Sequence, residues 1–458
     1  MDKTSEQLVA YTRGFSESDL TPSAVAKATD LLVDTIACAI AGTGSEPAPI
    51  VAKIARRVQS NPGATVFGYG FCTSPELAAL ANTAMVRTYD YNDAYFGHPS
   101  DMIPGVLAAG EVAHASGMQV LTAIALAYEI YGAFERSVPR VKSGFDQGTF
   151  MNVGVALAAG KLWGLSEGQL ADAASLALVP NVPLGVSRWG ALSMMKGCAT
   201  AFSVRNGVFA AMLAQEGFTS APEPYAGIYG LHHVTGAFNL RLPLEPDGQR
   251  VVEMAYIKPI PAENNTIGLT ELMPKLLAWT PVGEIESIDI EIATGYEVHL
   301  ADEPKYDPKT RETADHSLPY ILARALVDGG ITLDSYTPER ISDPSIRPLM
   351  RKIRVHGSDE LRRIMSASRG PEAKPAKITL KTYNGREFTQ NVMGHSGHPD
   401  GLQSTRREAI NNKLDLCAKA VRMQSEQRER IRGAWWDVAQ AADIAAPMET
   451  MAGFCSLN

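Results

Sequence analysis

Residues 21–42 read TPSAVAKATDLLVDTIACAIAG, and this stretch decides the fold class. Thr21 can cap a helix through its hydroxyl, and Pro22 suits the first helical position, where a missing N–H costs nothing. Val25, Ala28, Leu32, Ile36 and Ile40 then recur at helical spacing, and Gly42 closes the segment. Small and apolar residues on several faces suit a helix packed inside a bundle. Working outward, Ser74-Pro75-Glu76 repeats the start signal before LAALANTAMV, and Ser166 with Gln169 forms a capping-box pattern before LADAASLALV. Further helices are expected over 105–115, 119–136, 150–163 and 195–215. Almost no strand signal precedes residue 240.

The character changes near residue 243. Ile288, Ile290 and Ile292 alternate with Asp289 and Glu291, the pattern of a half-buried strand. Residues 377–392 read as a hairpin about Asn384-Gly385. Helical stretches are expected at 315–328 and 338–350, and the helical pattern returns from about 401. The fold class is therefore mainly α with a smaller α+β domain. A discontinuous all-helical domain is expected over 1–242 and 396–458, with the α+β domain over 243–395.

The chain has 458 residues, long enough to bury a large core without staples. Forty-two Lys and Arg against fifty Asp and Glu leave a net charge of −8, which argues against tracking a phosphate backbone. The most apolar runs are interrupted by Asp34 and Glu129, so no uncharged run reaches the ~18 residues of a membrane span. The first residues, MDKTSEQLVAYTRG, lack an apolar core followed by a small-residue cleavage site. A soluble cytoplasmic protein is the expectation, with no nucleic-acid or membrane partner. Cys38, Cys72, Cys198, Cys417 and Cys455 are dispersed, which suits a reducing compartment and gives no iron–sulfur ligand spacing.

Chemistry concentrates in a few places. TYDYNDAYFGHPSD, residues 88–101, packs Asp90, Asn92, Asp93, His98, Ser100 and Asp101 between two apolar helices. Carboxylates beside an imidazole can set its tautomer and tune it as a general acid or base, while the plainer reading is a loop of Asx-turn caps. Lys196 opens an apolar helix in SMMKGCATAF, either snorkelling to the surface or binding an anion from inside. Lys258 stands in YIKPIPAENN between two prolines that hold the segment extended, and it reads equally as a solvated loop lysine. In ADHSLPYILARAL, His316 and Tyr320 lie four apart and could share a helix face near an N-terminus. The same residues read as a capping Asp-His-Ser followed by a core tyrosine. His232-His233 reads as a loop pair, and His395, His398 and Asp400 as a domain-boundary loop rather than a metal site. There is no P-loop, strand-linked G-x-G-x-x-G, G-x-S-x-G or H-E-x-x-H.

In this order the segments resemble one family. LLVDTIACAIAG, AALANTAMVRTYDYND, GHPSD, the Lys196 helix, KPIPAE and RETADHSLPYILARAL followed by DGG are similar to the MmgE/PrpD family over about residues 5–425. Within that family the motifs look closer to the methylcitrate dehydratase branch than to the cis-aconitate decarboxylases; iminodisuccinate epimerases are a third branch. The resemblance implies a large helical domain with an α+β lid, an active site between them, no metal or organic cofactor, and a homodimer. It places Asp90, His98, Lys196, Lys258 and Tyr320 in the cleft, and Asp93 joins them by proximity. Three positions depart from the family's usual pattern. Gln147 stands where a histidine is common, Ala94 where a threonine is usual, and Asn264-Asn265 where a histidine and a small polar residue are usual.

The expected function is a cofactor-independent lyase that dehydrates a small di- or tricarboxylate resembling 2-methylcitrate. An α-proton would be abstracted and the β-hydroxyl lost, as in propionate metabolism. His98 is the expected imidazole acid/base, Tyr320 a proton or hydrogen-bond donor and Asp90 an orienting group, with Asp93 a further catalytic candidate by proximity. Lys196 and Lys258 would clamp the anion, with Gln147, Ser100 and His316 as further substrate contacts. Epimerisation or decarboxylation of a related polycarboxylate is the first alternative, and a binding protein of reduced activity the second.

Overall fold

The hydroxyl of Thr21 accepts the Ala24 N–H at 3.1 Å and starts the helix Pro22–Gly42, as its sequence predicts. The computed structural model of the chain describes residues 1–140, 142–245, 248–367, 374–397 and 406–457. Helices Pro75–Arg87, Ile103–Val112, Gly117–Ser137, Met151–Leu162, Glu167–Leu178 and Met194–Gln215 build the rest of a helical body. The Ser166 capping box forms as expected. Gly42 lies against helix Pro75–Arg87, where a Cβ would collide with the Met85 carbonyl. That close crossing fixes the helix from which the 88–101 loop departs.

Helix Gly117–Ser137 is long and apolar enough to cross a membrane, and 89% of its most apolar window is buried inside the protein. Its Glu129 is a core residue with partners, accepting the Val251 N–H at 2.7 Å and the Tyr11 hydroxyl at 3.3 Å. Asp34, the other interrupting charge, is paired with Lys413 at 2.7 Å.

One apolar cluster spans this body. It includes Leu8, Leu32, Ile124 and Val155, and it also takes in Ile410, Leu414, Cys417 and Trp435 from helices Arg406–Ala420 and Ser425–Trp436. Val251, Val252 and Met254 belong to the same cluster. The second apolar cluster runs from Ala262 to Val392. The chain thus passes from one core to the other later than the composition shift near 243 indicates, because the short helix Val251–Met254 docks on the helical body.

Two strands, β1 (Ala64–Val66) and β2 (Phe71–Thr73), form a small hairpin within the helical body that the sequence pattern does not announce. The second core is built on β3 (Ile285–Ala293), β4 (Ile353–Ser358), β5 (Ala376–Thr382) and β6 (Glu387–Val392), in the order β4-β3-β5-β6. β3 pairs parallel to β4 and antiparallel to β5, and β5 with β6 is the expected hairpin. Ile288, Ile290 and Ile292 share their cluster with Leu318, Ile321 and Leu322 of helix Leu318–Asp328. The stretch 338–350 is three short pieces, Pro338–Ser342, Pro344–Ile346 and Arg347–Arg351, because Pro344 and Pro348 each force a new start. His232 and His233 lie on the short helix Leu231–Thr235, and His232 packs edge-on against Phe238. His398 and Asp400 lie outside the described residues.

Candidate active site

Helix Pro75–Arg87 ends at Arg87, and Asp90 follows with a φ of 51°, a left-handed conformation that aspartate tolerates better than most residues. The turn folds the Asp90 carboxylate back onto the helix it has just left. Arg87 Nη1 donates to Oδ1 at 2.6 Å, and Lys258 Nζ donates to the same oxygen at 2.8 Å. Lys196 Nζ reaches Oδ2 at 3.4 Å. The pair of bonds between Ala94 and Tyr256, at 2.8 and 3.1 Å, lays the Lys258 segment beside the loop. Pro259 keeps that segment extended.

His98 stands at the other edge of the loop, and a Cβ on the preceding Gly97 would collide with the Tyr131 hydroxyl and the Gln147 side chain. His98 Nδ1 lies 2.5 Å from the Asp93 carbonyl oxygen, which has no proton to offer, so Nδ1 is the donor. Nε2 faces Asp90 Oδ1 at 3.2 Å. The Asp93 carboxylate is fixed in turn by the Ser100 N–H at 3.0 Å and the Tyr128 hydroxyl at 2.8 Å. Asn92 donates to the Ser100 hydroxyl at 2.7 Å and to Asp101 at 2.8 Å.

The second domain closes the cluster. Lys196 Nζ donates to Asp315 Oδ1 at 2.9 Å, and His316 Nδ1 donates to the same oxygen at 2.7 Å. Arg311 contacts Asp315 Oδ2 at 3.2 Å. His98 and His316 therefore flank the two oxygens of Asp90, His316 Nδ1 lying 3.5 Å from Oδ2. Asp90, Asp315 and His316 present donor atoms within 4.8 Å of one another, a spacing that a metal ion can bridge, and the ammonium of Lys196 already contacts both carboxylates.

Charge sets the protonation states. Burial opposes ionisation of Asp90, yet Arg87, Lys196 and Lys258 hold it well below the usual carboxylate range. Burial, then Arg87 and Lys258, push His98 well below the ordinary imidazole value, so it is neutral near pH 7. Burial and Lys196 bring His316 down to about 4. Burial raises Asp93 to about 7 against its hydrogen bonds from Ser100 and Tyr128.

Asp90, Asp93, His98, Ser100, Lys196, Lys258 and His316 thus come together, and Gln147 lies beside the Gly97–His98 turn. Tyr320 does not join them. The helix starts at Leu318 with Ser317 as its cap, so His316 lies outside it and the one-turn spacing to Tyr320 carries no common face. The Tyr320 hydroxyl donates to the Ser335 carbonyl at 2.5 Å inside the second core. Lys258 departs from its expected role as a clamp, because its ammonium already donates to Asp90 Oδ1, the Asp90 carbonyl and the Ala262 carbonyl. An ammonium has three protons, and none is left for a ligand.

Sequence reasoning passed over Arg87 and Asp315. The three-residue spacing from Arg87 to Asp90 was a signal for one. Asp315, beside His316, has the local signature of a cap and nothing more. It also passed over Tyr131, whose buried hydroxyl lacks a hydrogen-bond partner among the described residues, as does the Gln147 side-chain N–H2. A cleft of about 430 Å³ lies between the two domains, lined by Arg140, Asp146, Arg188 and, from the second domain, Tyr296 and His299. His299 stacks edge-on against His316 at 5.4 Å, which joins the cleft to the cluster.

Comparison with known proteins adds the family context. The sequence profile of the MmgE/PrpD N-terminal domain matches residues 6–239, and that of the MmgE/PrpD C-terminal domain matches residues 268–437. The chain is 28% identical to 2-methylcitrate dehydratase of Escherichia coli strain K12, over 81% of this chain and 80% of that protein. It is 24% identical to cis-aconitate decarboxylase of Aspergillus terreus, over 92% and 91% of the two chains. The cis-aconitate decarboxylase of Mus musculus is 24% identical, over 92% and 88%.

Proposed function

The chain belongs to the MmgE/PrpD family, and on that premise we propose that it is a cofactor-independent lyase that dehydrates a small hydroxy-polycarboxylate of the 2-methylcitrate type. The observation that carries this reading is the setting of His98. Its Nδ1–H is committed to the Asp93 carbonyl, its Nε2 lone pair is unprotonated at neutral pH, and Asp90 Oδ1 lies 3.2 Å away. A base in that state takes a proton from the carbon beside a substrate carboxylate, and Asp90 stabilises the imidazolium that results. Negative charge then building on the substrate carboxylate meets the field of Arg87, Lys196 and Lys258. Lys196, with two acceptors for its three protons, retains one donor for the substrate. Gln147 and Tyr131 supply two further unspent donors beside His98.

The proton taken by His98 is returned to the departing hydroxyl as the C–O bond breaks, so that water leaves, the carbon–carbon double bond forms and the base is restored. His316, a second neutral imidazole with its Nδ1–H held by Asp315, flanks the other oxygen of Asp90. Breaking the C–H and C–O bonds calls for proton transfer and electrostatic stabilisation, which these side chains provide. Decarboxylation is the second reading, favoured by the greater coverage of the cis-aconitate decarboxylases, 92% of this chain against 81% for the dehydratase. Both reactions pass through a carbanion-like stage next to a carboxylate.

The proposal extends to a cytoplasmic homodimer. Met195, Phe202 and Phe209 are 43, 44 and 41% exposed and lie seven apart on helix Met194–Gln215, one apolar stripe at the protein surface. A monomer mass by light scattering would refute that part. The activity is tested by incubating purified protein with 2-methylcitrate, citrate, cis-aconitate and iminodisuccinate. The expected product is a conjugated enoate from 2-methylcitrate. Release of carbon dioxide from cis-aconitate would replace this reading with the second, optical change alone would indicate epimerisation, and tight binding without product would indicate a binding protein.

A further inference from the structure

A second cavity, of about 330 Å³, lies between helices Pro22–Gly42 and Arg406–Ala420 and the extended segment 257–259. It shares no lining residue with the interdomain cleft. Lys27 lines it and is only 4% exposed, yet among the described residues its ammonium makes no hydrogen bond and no ion pair. Buried lysines are ordinarily matched, because an isolated buried ammonium is strongly disfavoured.

Each nearby acid is engaged elsewhere. Asp30 pairs with Arg406 at 3.5 Å, and Asp34 pairs with Lys413 at 2.7 Å. Asp93 accepts from Ser100 and Tyr128. Lys413 spends its remaining protons on the Tyr91 and Lys258 carbonyls. Among the described residues, the cavity wall carries the cations Lys27, Lys258, Arg406 and Lys413 and no acid. Lys258, which also belongs to the Asp90 cluster, is paired with Asp90, Arg406 with Asp30 and Lys413 with Asp34, so Lys27 is the one wall cation left unmatched among them. Burial and the Arg406 guanidinium bring Lys27 down to about 8, so it is still mainly charged near pH 7. The Asn412 amide lines the same space and can donate hydrogen bonds.

We propose that this cavity is a second ligand site, in which Lys27 and Arg406 hold a small oxyanion, a carboxylate or phosphate group. Its volume is at the lower end of small-molecule sites, which limits the ligand to a few heavy atoms around that group. The site does not depend on the lyase reading, since a chain without that activity would still bury the same unmatched ammonium.

Thermal unfolding of the full chain tests it, with inorganic phosphate and succinate added separately and ionic strength held constant with chloride. At least one of the two is expected to raise the melting temperature of the wild type by about 2 °C or more, as a ligand of the native state does. His98→Gln should respond equally, and Lys27→Met should not respond. Without added anion, Lys27→Met should melt at or above the wild type, because methionine fills the space without the charge. A response to succinate alone or to phosphate alone identifies which oxyanion the site takes. The proposal is overturned by an equal response in Lys27→Met, by no wild-type response to either anion, by a response lost in His98→Gln, or by a lower melting temperature of Lys27→Met without anion.

Discussion

Lys258 and Lys27 both line the second cavity and are both withdrawn from water, at 0 and 4% exposure, yet the protein treats them in opposite ways. Lys258 meets three acceptors, two of them from Asp90. Lys27 meets none among the described residues. Where the desolvation of a cation is offset locally, the cation is part of the scaffold that shapes other groups. Where it is not offset, the field of that cation is available to a ligand. The same distinction operates inside the active site, where Arg87 and Lys258 hold Asp90 while the Nε2 lone pair of His98 is left unspent.

The comparison breaks hardest at Asp90. Asp90→Asn keeps the shape but removes the charge shared by Arg87, Lys196 and Lys258. The expected loss is roughly 3–5 kcal/mol of stability, the range for breaking a buried ion network. Turnover should fall at least about 10³-fold, because the imidazolium loses its counter-charge. Urea unfolding and steady-state kinetics measure the two. Stability near that of the wild type would show that the cations do not depend on this carboxylate.

His98→Gln is expected to lower turnover by about 10²–10⁴-fold, the usual contribution of a general base, while the fold is retained. The pH profile sharpens the assignment. Because burial and the neighbouring cations depress the His98 value, the base is neutral until the pH falls well below 6.5, and the acid limb of kcat/KM should lie there. An acid limb at or above 6.5 would assign the base to another group. A folded His98→Gln protein with near-normal turnover would remove His98 from the mechanism.

Lys258→Met tests the scaffold half of the comparison directly. It strips a donor from the Asp90 carboxylate and from two buried carbonyls, at a cost of roughly 3 kcal/mol. Lys27→Met makes the same chemical change and should cost nothing. Equal destabilisation of the two variants would erase the distinction between them.

Much of the fold was legible because helical periodicity and capping are local. The segment 21–42 gave its own start and stop, and Asn384-Gly385 gave the hairpin of β5 and β6. β4 was not legible, since it contributes few apolar residues and its parallel pairing with β3 is set by the helices between them. In the site, the loop 88–101 was legible because its polar residues are contiguous. The bonds from Asp90 to Lys196 and Lys258 join residues far apart in sequence, and resemblance, not spacing, named them together. Arg87 and Asp315 were missed because a helix C-terminus and a cap have ordinary local explanations.

The smallest effect is expected at Tyr320. A family position four residues after His316 looked like a donor to the cleft, but the Ser317 cap places the helix start between the two residues. The phenol is buried, its value pushed up to about 12 mainly by burial, and its proton is held by the Ser335 carbonyl. Tyr320→Phe removes that single hydrogen bond and leaves the ring packed near Tyr336. The expected outcome is about 1 kcal/mol of lost stability, the net worth of one buried hydrogen bond, with turnover within about two-fold of the wild type. A fall in turnover of tenfold or more at unchanged stability would mean that the hydroxyl leaves Ser335 to meet the substrate, and that the second domain moves relative to Asp90 during the reaction. The size of this one effect therefore decides whether the matched network around Asp90 is the working state of the site or the resting state that precedes it.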